Sequence, residues 1–233
     1  MESCGKYNWF LIEKYFIHLC MIYSKEIASL TAQHLLKINA IKLSPENPFT
    51  WASGWKSPIY CDNRLALSFP QVRNFLADSL AQQVEKLYGT NVTIAGVATG
   101  AIGIGMLVAE KLNLPFVYVR PEPKKHGRQN QIEGHAPEGI PIVVIEDLIS
   151  TGKSSLNAVA ALQEQRFQVL GMVALFSYGF ATAEENFSAK NITLHTLSDY
   201  DHLLAYANTT KAISNQQMAT LAAWRKDPAN WSI

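Results

Sequence analysis

The 233-residue chain carries 48% hydrophobic and 17% charged residues with a formal net charge of +1. That is the balance of an ordinary globular protein, long enough for one well-cored unit with a small appendage. It excludes a bulk basic surface for nucleic acid or membrane, so any anionic ligand must be met by local design. The three cysteines, Cys4, Cys20 and Cys61, are odd in number and in no metal-ligand spacing, which points to reduced thiols in a cytosol.

Residues 1–20 are apolar but interrupted by Glu13, Lys14 and His18, and no small-residue cleavage site follows. They read as an extension ahead of the working fold rather than a signal peptide. Met21 then opens an amphipathic helix in which Ile27, Leu30, His34, Leu35 and Ile38 recur at helical spacing. A loop rich in Pro, Ser, Gly and Trp, Ser44 to Arg64, completes an N-terminal cap over 21–69. The core, 70–233, begins with Pro70 at the first position of a helix reaching about Tyr88, with Val72, Phe75, Leu76, Leu80 and Val84 on one face.

From Val92 the pattern changes. The runs VTIAGVA, FVYVR, PIVVIED and VLGMVALFSY alternate with helical stretches at Ile102–Leu112 and Lys153–Gln165. Continuous β-branched runs separated by helices predict an α/β fold, a mostly parallel central sheet covered by helices, with its ligand site at the carboxyl ends of the strands. The uncharged stretch Gly89–Ala109 contains five glycines and reads as strand, turn and helix, not a membrane span. A strand in NITLHTL and helices at Tyr200–Tyr206 and Lys211–Lys226 finish the chain.

The chemistry concentrates in VVIEDLISTGKSS, Val143 to Ser155. Its end looks like an ATP-binding P-loop, but the position that should hold the first glycine is Asp147, which would set a carboxylate against the phosphates. What remains is a buried strand, Ile142–Ile145, ending in Glu146 and Asp147, then a short Ser-Thr-Gly-Lys-Ser loop that opens a helix. Amides and hydroxyls at a helix N-terminus suit a phosphate monoester. The two acids suit sugar hydroxyls, directly or through a metal ion. One loop can thus grip both ends of a ribose 5-phosphate.

This stretch resembles the 5-phosphoribosyl 1-diphosphate (PRPP) signature of type I phosphoribosyltransferases. FTWASGWKSPIYCDNR (Phe49–Arg64) and YVRPEPKKHGRQNQIEG (Tyr118–Gly134) resemble the hood and the mobile catalytic loop of orotate phosphoribosyltransferases. The resemblance implies the type I phosphoribosyltransferase fold with a small N-terminal hood, joining of orotate to PRPP, Mg²⁺ as cofactor, and a cytoplasmic homodimer with shared active sites. It implies no nucleic-acid or membrane partner. PRPP contacts fall to Arg120, Lys124, His126, Glu146, Asp147, Leu148, Ile149, Ser150, Thr151, Gly152, Lys153 and Ser154. Catalysis falls to Lys124, His126 and Asp147, and orotate contacts to Ser150, Tyr60 and Cys61. The metal is implied to sit mainly on PRPP, with Glu146 and Asp147 the protein groups nearest it.

The residues support parts of this by themselves. Arg120, Lys124, Lys125, His126 and Arg128 follow a sheet strand on one loop, placed to receive a departing diphosphate. Gly127 and Gly134 flank a polar stretch fit for a lid that excludes water. The small residues of GVATGAIGIG let backbone approach a ligand, Ala98 to Ala101 lying nearest the diphosphate by resemblance. Trp51 and Trp55 read as core or interface residues, and Lys153 as pointing outward. Ala52, Gly100, Pro121 and Tyr178 stand where some relatives carry lysines or an arginine, so the group that meets the carboxylate of orotate is unassigned; Arg64 is a lone candidate. A purine or uracil phosphoribosyltransferase would share the PRPP loop but not the hood. A PRPP-sensing regulator would need a basic face that these charges do not supply.

Overall fold

The computed structural model describes residues 21–51, 53–122 and 131–232. In chain order the elements are β1 (Met21–Ile22), α1 (Lys25–Lys37), β2 (Ile41–Leu43), β3 (Phe49–Thr50), β4 (Lys56–Ser57) and β5 (Ile59–Cys61), then a 3₁₀ turn (Asn63–Ser68). They continue with α2 (Pro70–Tyr88), β6 (Thr93–Val97), α3 (Ala101–Leu112), β7 (Phe116–Val119), β8 (Ile132–Gly134), β9 (Ile142–Ile149) and α4 (Lys153–Glu164). The last are β10 (Val169–Ser177), α5 (Ala181–Ala189), β11 (Leu194–Asp199), α6 (Tyr200–Thr209) and α7 (Asn215–Lys226).

One seven-stranded sheet, in the order β1-β11-β10-β9-β6-β7-β8, forms the frame. Every pairing in it is parallel except β7 with β8. The central strands are apolar on both faces because helices cover both: Ile142 to Ile145 and Met172 to Phe176 are all buried. This is the mostly parallel sheet expected.

Three local outcomes differ from the sequence expectation. Met21 and Ile22 form a short strand beside β11, and the helix starts only at Lys25, because Ser24 caps it by accepting from the Ile27 amide at 3.3 Å. This segment packs into the main sheet edge, with Ala28, Ala32 and Leu35 in the core. The hood proper is therefore the hairpins β2/β5 and β3/β4 with the 3₁₀ turn. Second, β9 runs past the acids to Ile149, because β10 keeps pairing with it as far as Ser177↔Ile149. Third, α5 was not anticipated; it buries only Ala183 and Phe187, too weak a stripe to register as a period.

The hood is fastened to the core by aromatic packing. Trp51 donates its indole N–H to the Ile59 carbonyl at 3.1 Å and lies against Tyr178 and Trp224, with ring centroids 5.1 and 5.6 Å away. Trp224, fully buried on α7, donates to the Lys56 carbonyl at 3.1 Å. Each indole thus satisfies its one polar group while burying the rest.

Candidate active site

The carboxyl ends of β6 and β9 splay around a cleft of about 410 Å³. One wall is hood: Cys61, Asp62 and Arg64. The other is the turn Val97–Gly100 with the end of β9 and the loop into α4: Glu146, Asp147, Leu148, Ser150, Thr151, Gly152 and Ser154. The sheet topology thus brings residues from three distant segments together at the carboxyl edge of the strands.

The two acids do not behave alike. Because they lie within a strand, their side chains leave it on opposite sides. Glu146 is buried, and both its oxygens already accept: Oε1 from the Asp147 amide at 2.9 Å and Oε2 from the Ser155 hydroxyl at 2.7 Å. It ties the end of β9 to the first turn of α4. Burial, then the charge of Asp147, pushes its carboxyl well above the usual range. Asp147 is more open, and burial also raises it.

Asp147 is held from the opposite wall. Pairing of β6 with β9 ends at Gly96↔Ile145, so the Asp147 carbonyl lies beyond it. The buried side chain of Asn63 supplies a donor instead, with its Nδ2 2.6 Å from that oxygen. A carbonyl can only accept, so the amide nitrogen of Asn63 must face it; Oδ1 then faces the Cys61 thiol, 3.1 Å away, which donates. Burial pushes the Cys61 thiol well up, which keeps the proton this bond needs. Gly100 makes room beside Asp147, since an added Cβ there would collide with its carboxylate. The neighbouring Ala98–Thr99 peptide is cis.

The phosphate end is built by Gly152. At φ +75° it turns the chain into α4, and an added Cβ would stand 2.6 Å from the Phe187 ring, so conformation and space both demand glycine. The first backbone bond of α4 runs from the Leu156 amide to the Gly152 carbonyl at 2.9 Å. The amides of Lys153, Ser154 and Ser155 precede it and face out of the helix end, where an anion is favoured. Asn186 of α5 braces the loop by donating to the Thr151 carbonyl at 2.9 Å.

Not all the expected residues converge. Ile149 lies in the core and does not line the cleft, and Lys153 is exposed outside the cleft lining. Tyr60 is 40% exposed on the other side of β5 from Cys61, against the ring of Phe49 at 5.6 Å, and does not line the cleft. Arg120 sits in an adjoining pocket that shares Val97, Ala98 and Ser154 with the cleft. There its guanidinium is 3.5 Å from Glu133, and its backbone is zipped to Gln131 by bonds of 2.8 Å in both directions. Lys124 and His126 lie outside the described residues, as do Lys125, Gly127, Arg128 and Ala52. Tyr178 is buried among Trp51, Phe176, Phe180 and Trp224, so it does not stand in the cleft for the arginine of some relatives. Sequence reading passed over Asn63 and Ser155. Asn63 had a signal, a polar residue between two charged ones in the hood, but nothing local showed that its partner lay 84 residues away.

Comparison with known proteins agrees with this geometry. The phosphoribosyl transferase domain family matches residues 70–202. An orotate phosphoribosyltransferase of Cytophaga hutchinsonii is 54% identical over 211 residues, 91% of this chain and 99% of that protein. One of Bacteroides thetaiotaomicron is 54% identical over 207 residues, 89% and 98% of the two chains. Among solved structures, orotate phosphoribosyltransferase from Aeropyrum pernix superposes with a TM-score of 0.67 at 27% identity, covering 78% of this chain and 99% of the other. UMP synthase of Leishmania donovani superposes at 0.71 and 26% identity, covering 86% of this chain and 42% of that one. The chain belongs to the orotate phosphoribosyltransferase family, with the phosphoribosyl transferase domain as its core.

Proposed function

We propose that this chain transfers the 5-phosphoribosyl group of PRPP to N1 of orotate, giving orotidine 5′-monophosphate and diphosphate for pyrimidine nucleotide synthesis. The observation that carries the reading is the meeting, in one cleft, of a helix N-terminal turn, the acid-bearing end of β9 and the hood wall. Each suits one part of the reacting pair: phosphate, ribose and base.

Ser150, Thr151, Gly152 and Ser154 take the 5′-phosphate with hydroxyls and helix-end amides. Asp147 accepts from a ribose hydroxyl, and Glu146, each of whose oxygens keeps a further acceptor site, accepts from the other. The C1–O bond then breaks toward diphosphate, and the ring nitrogen of the orotate anion closes on C1 from the hood side, where Cys61 lines the cleft. Arg120, with Lys124 and His126, receives the departing charge. No covalent bond to the protein forms; the work is positioning and electrostatics.

Mg²⁺ fits this site as a passenger of the substrate. Among the described residues no group of three metal-ligating side chains exists, while Asp147 and Asp62 line the cleft as hard oxygen donors. Bound there, the ion would offset the charge of the diphosphate. A homodimer is supported by three exposed apolar side chains: Leu65 on the 3₁₀ turn, Phe69 just after it and Met106 on α3, the turn and α3 being in contact through Leu67 and Gly103. No described helix is long and apolar enough to cross a membrane.

The test is the fall in orotate absorbance on adding PRPP and Mg²⁺, with uracil and hypoxanthine as rival bases. Loss with orotate alone supports the reading; loss with another base, or with none, refutes it.

A further inference from the structure

Resting on that reading, we infer that Arg64, clamped by Asp62, is the group that meets the carboxylate of the incoming base and so selects orotate over uracil. Among the described residues lining the cleft, Arg64 is the sole cationic side chain, against the carboxylates Asp62, Glu146 and Asp147. A base that carries a negative charge meets repulsion from this lining everywhere except at Arg64 and at the helix end. The helix end is taken by the phosphate of the other substrate. The base's carboxylate is therefore left with the guanidinium.

Arg64 is also built for the task. Its Nε and Nη2 donate to Asp62 Oδ1 and Oδ2 at 2.7 and 2.8 Å, a planar two-bond clamp that fixes the fork. The remaining N–H groups of the guanidinium are left for a ligand. The clamp is itself anchored: the Asp62 amide donates to the Ala40 carbonyl at 2.7 Å, and the next residue, Asn63, is buried and tied to β9. An arginine 57% exposed in its side chain would otherwise sample many rotamers. Its counter-ion keeps the local charge near zero until a ligand arrives, so the head can sit in an acidic cleft without being pulled onto Asp147. The hood residue that carries the arginine stands on the wall opposite the ribose-binding strand, which is the side a base must enter from. Uracil lacks the carboxylate and gains nothing from this arrangement.

The experiment compares wild type, Arg64→Gln and Arg64→Lys in the full chain, reading the KM for orotate, the KM for PRPP and the inhibition constant of uracil as a competitor. Arg64→Gln should raise the orotate KM about 10- to 100-fold, the loss of a charge-assisted hydrogen bond, while uracil inhibition and the PRPP KM stay within about twofold. Arg64→Lys should fall between, having charge but no fork. Equal loss for orotate and uracil, or a rise confined to the PRPP KM, would overturn the inference and move Arg64 to a structural or diphosphate role. If wild type turned over no orotate, the proposed activity would fail on its own; equilibrium binding of orotate to wild type and Arg64→Gln would still decide Arg64, unchanged affinity counting against it.

Discussion

Replacing Asn63 by leucine would separate the two things this side chain does. The substitution keeps the volume roughly constant but removes the donor 2.6 Å from the Asp147 carbonyl and the acceptor 3.1 Å from the Cys61 thiol. The carbonyl then loses the donor that Asn63 brings, a loss of about 1–3 kcal/mol. For a chain of this size that lowers Tm by roughly 2–12 °C. The larger effect should be on turnover. Asn63 is the tether between the hood and the strand that carries Asp147, and without it the acid can drift relative to the base-binding wall. A displacement of about 1 Å in a positioned group can lower the rate about 10²-fold. The assay is calorimetric Tm together with kcat and both KM values, measured well below the variant's Tm. A fall in kcat much larger than any change in KM would fit a role in alignment. Normal kcat with a lowered Tm would refute it and leave Asn63 as a fastener of the hood alone.

The acid pair makes a prediction about pH. Both carboxyls are raised in the folded protein, so the native state holds protons that the unfolded chain has released, and stability is lost as pH rises from the ordinary carboxylate range through the folded values. Asp147→Asn removes one member of the pair; its Tm should decline less than that of wild type between about pH 4 and neutrality, while most turnover is lost. A variant with wild-type pH dependence, or near-normal kcat, would contradict this. Gly152→Ala should destabilise the fold and raise the PRPP KM, since it places a side chain at φ +75° and against Phe187; an unchanged KM would detach the turn from phosphate binding. Lys153→Gly, by contrast, should leave the PRPP KM within about twofold, because the side chain is exposed outside the cleft.

How much of this was legible in the sequence depended on how local the cause was. The parallel sheet could be read because each central strand announces itself by continuous burial, as in Ile142 to Ile145. Pro70 and Tyr88 bounded α2 correctly because proline at N1 and glycine after the last turn are local signals. The short hairpins of the hood could not be read: β3 and β4 are two residues each and exist because Trp51 and Trp55 give them something to pack on. Likewise Met21 and Ile22 form a strand only because β11 offers an edge. In the site, the loop from Ser150 to Ser154 was legible from its residues, while Asn63, whose role is set by a partner 84 residues away, was not.

The acid pair shows why adjacency in sequence is a poor guide to shared work. Written side by side, Glu146 and Asp147 look like twin acceptors at the end of a strand. Because β10 extends the strand beneath them, alternation sends one carboxyl toward Ser155 and leaves the other beside Gly100. The buried one draws its two hydrogen bonds from the protein and so sets the angle between β9 and α4, hence the distance from ribose acid to phosphate turn. Asn63 binds the backbone of the other, and Gly100 withholds a side chain beside it. Asp147 lines the cleft, where a ligand can reach it. Burial raises both carboxyls, and the charge of Asp147 raises Glu146 further, so hydroxyl donors or a cation beside them would favour their ionised forms. A cleft lined by such acids favours a polyhydroxylated ligand.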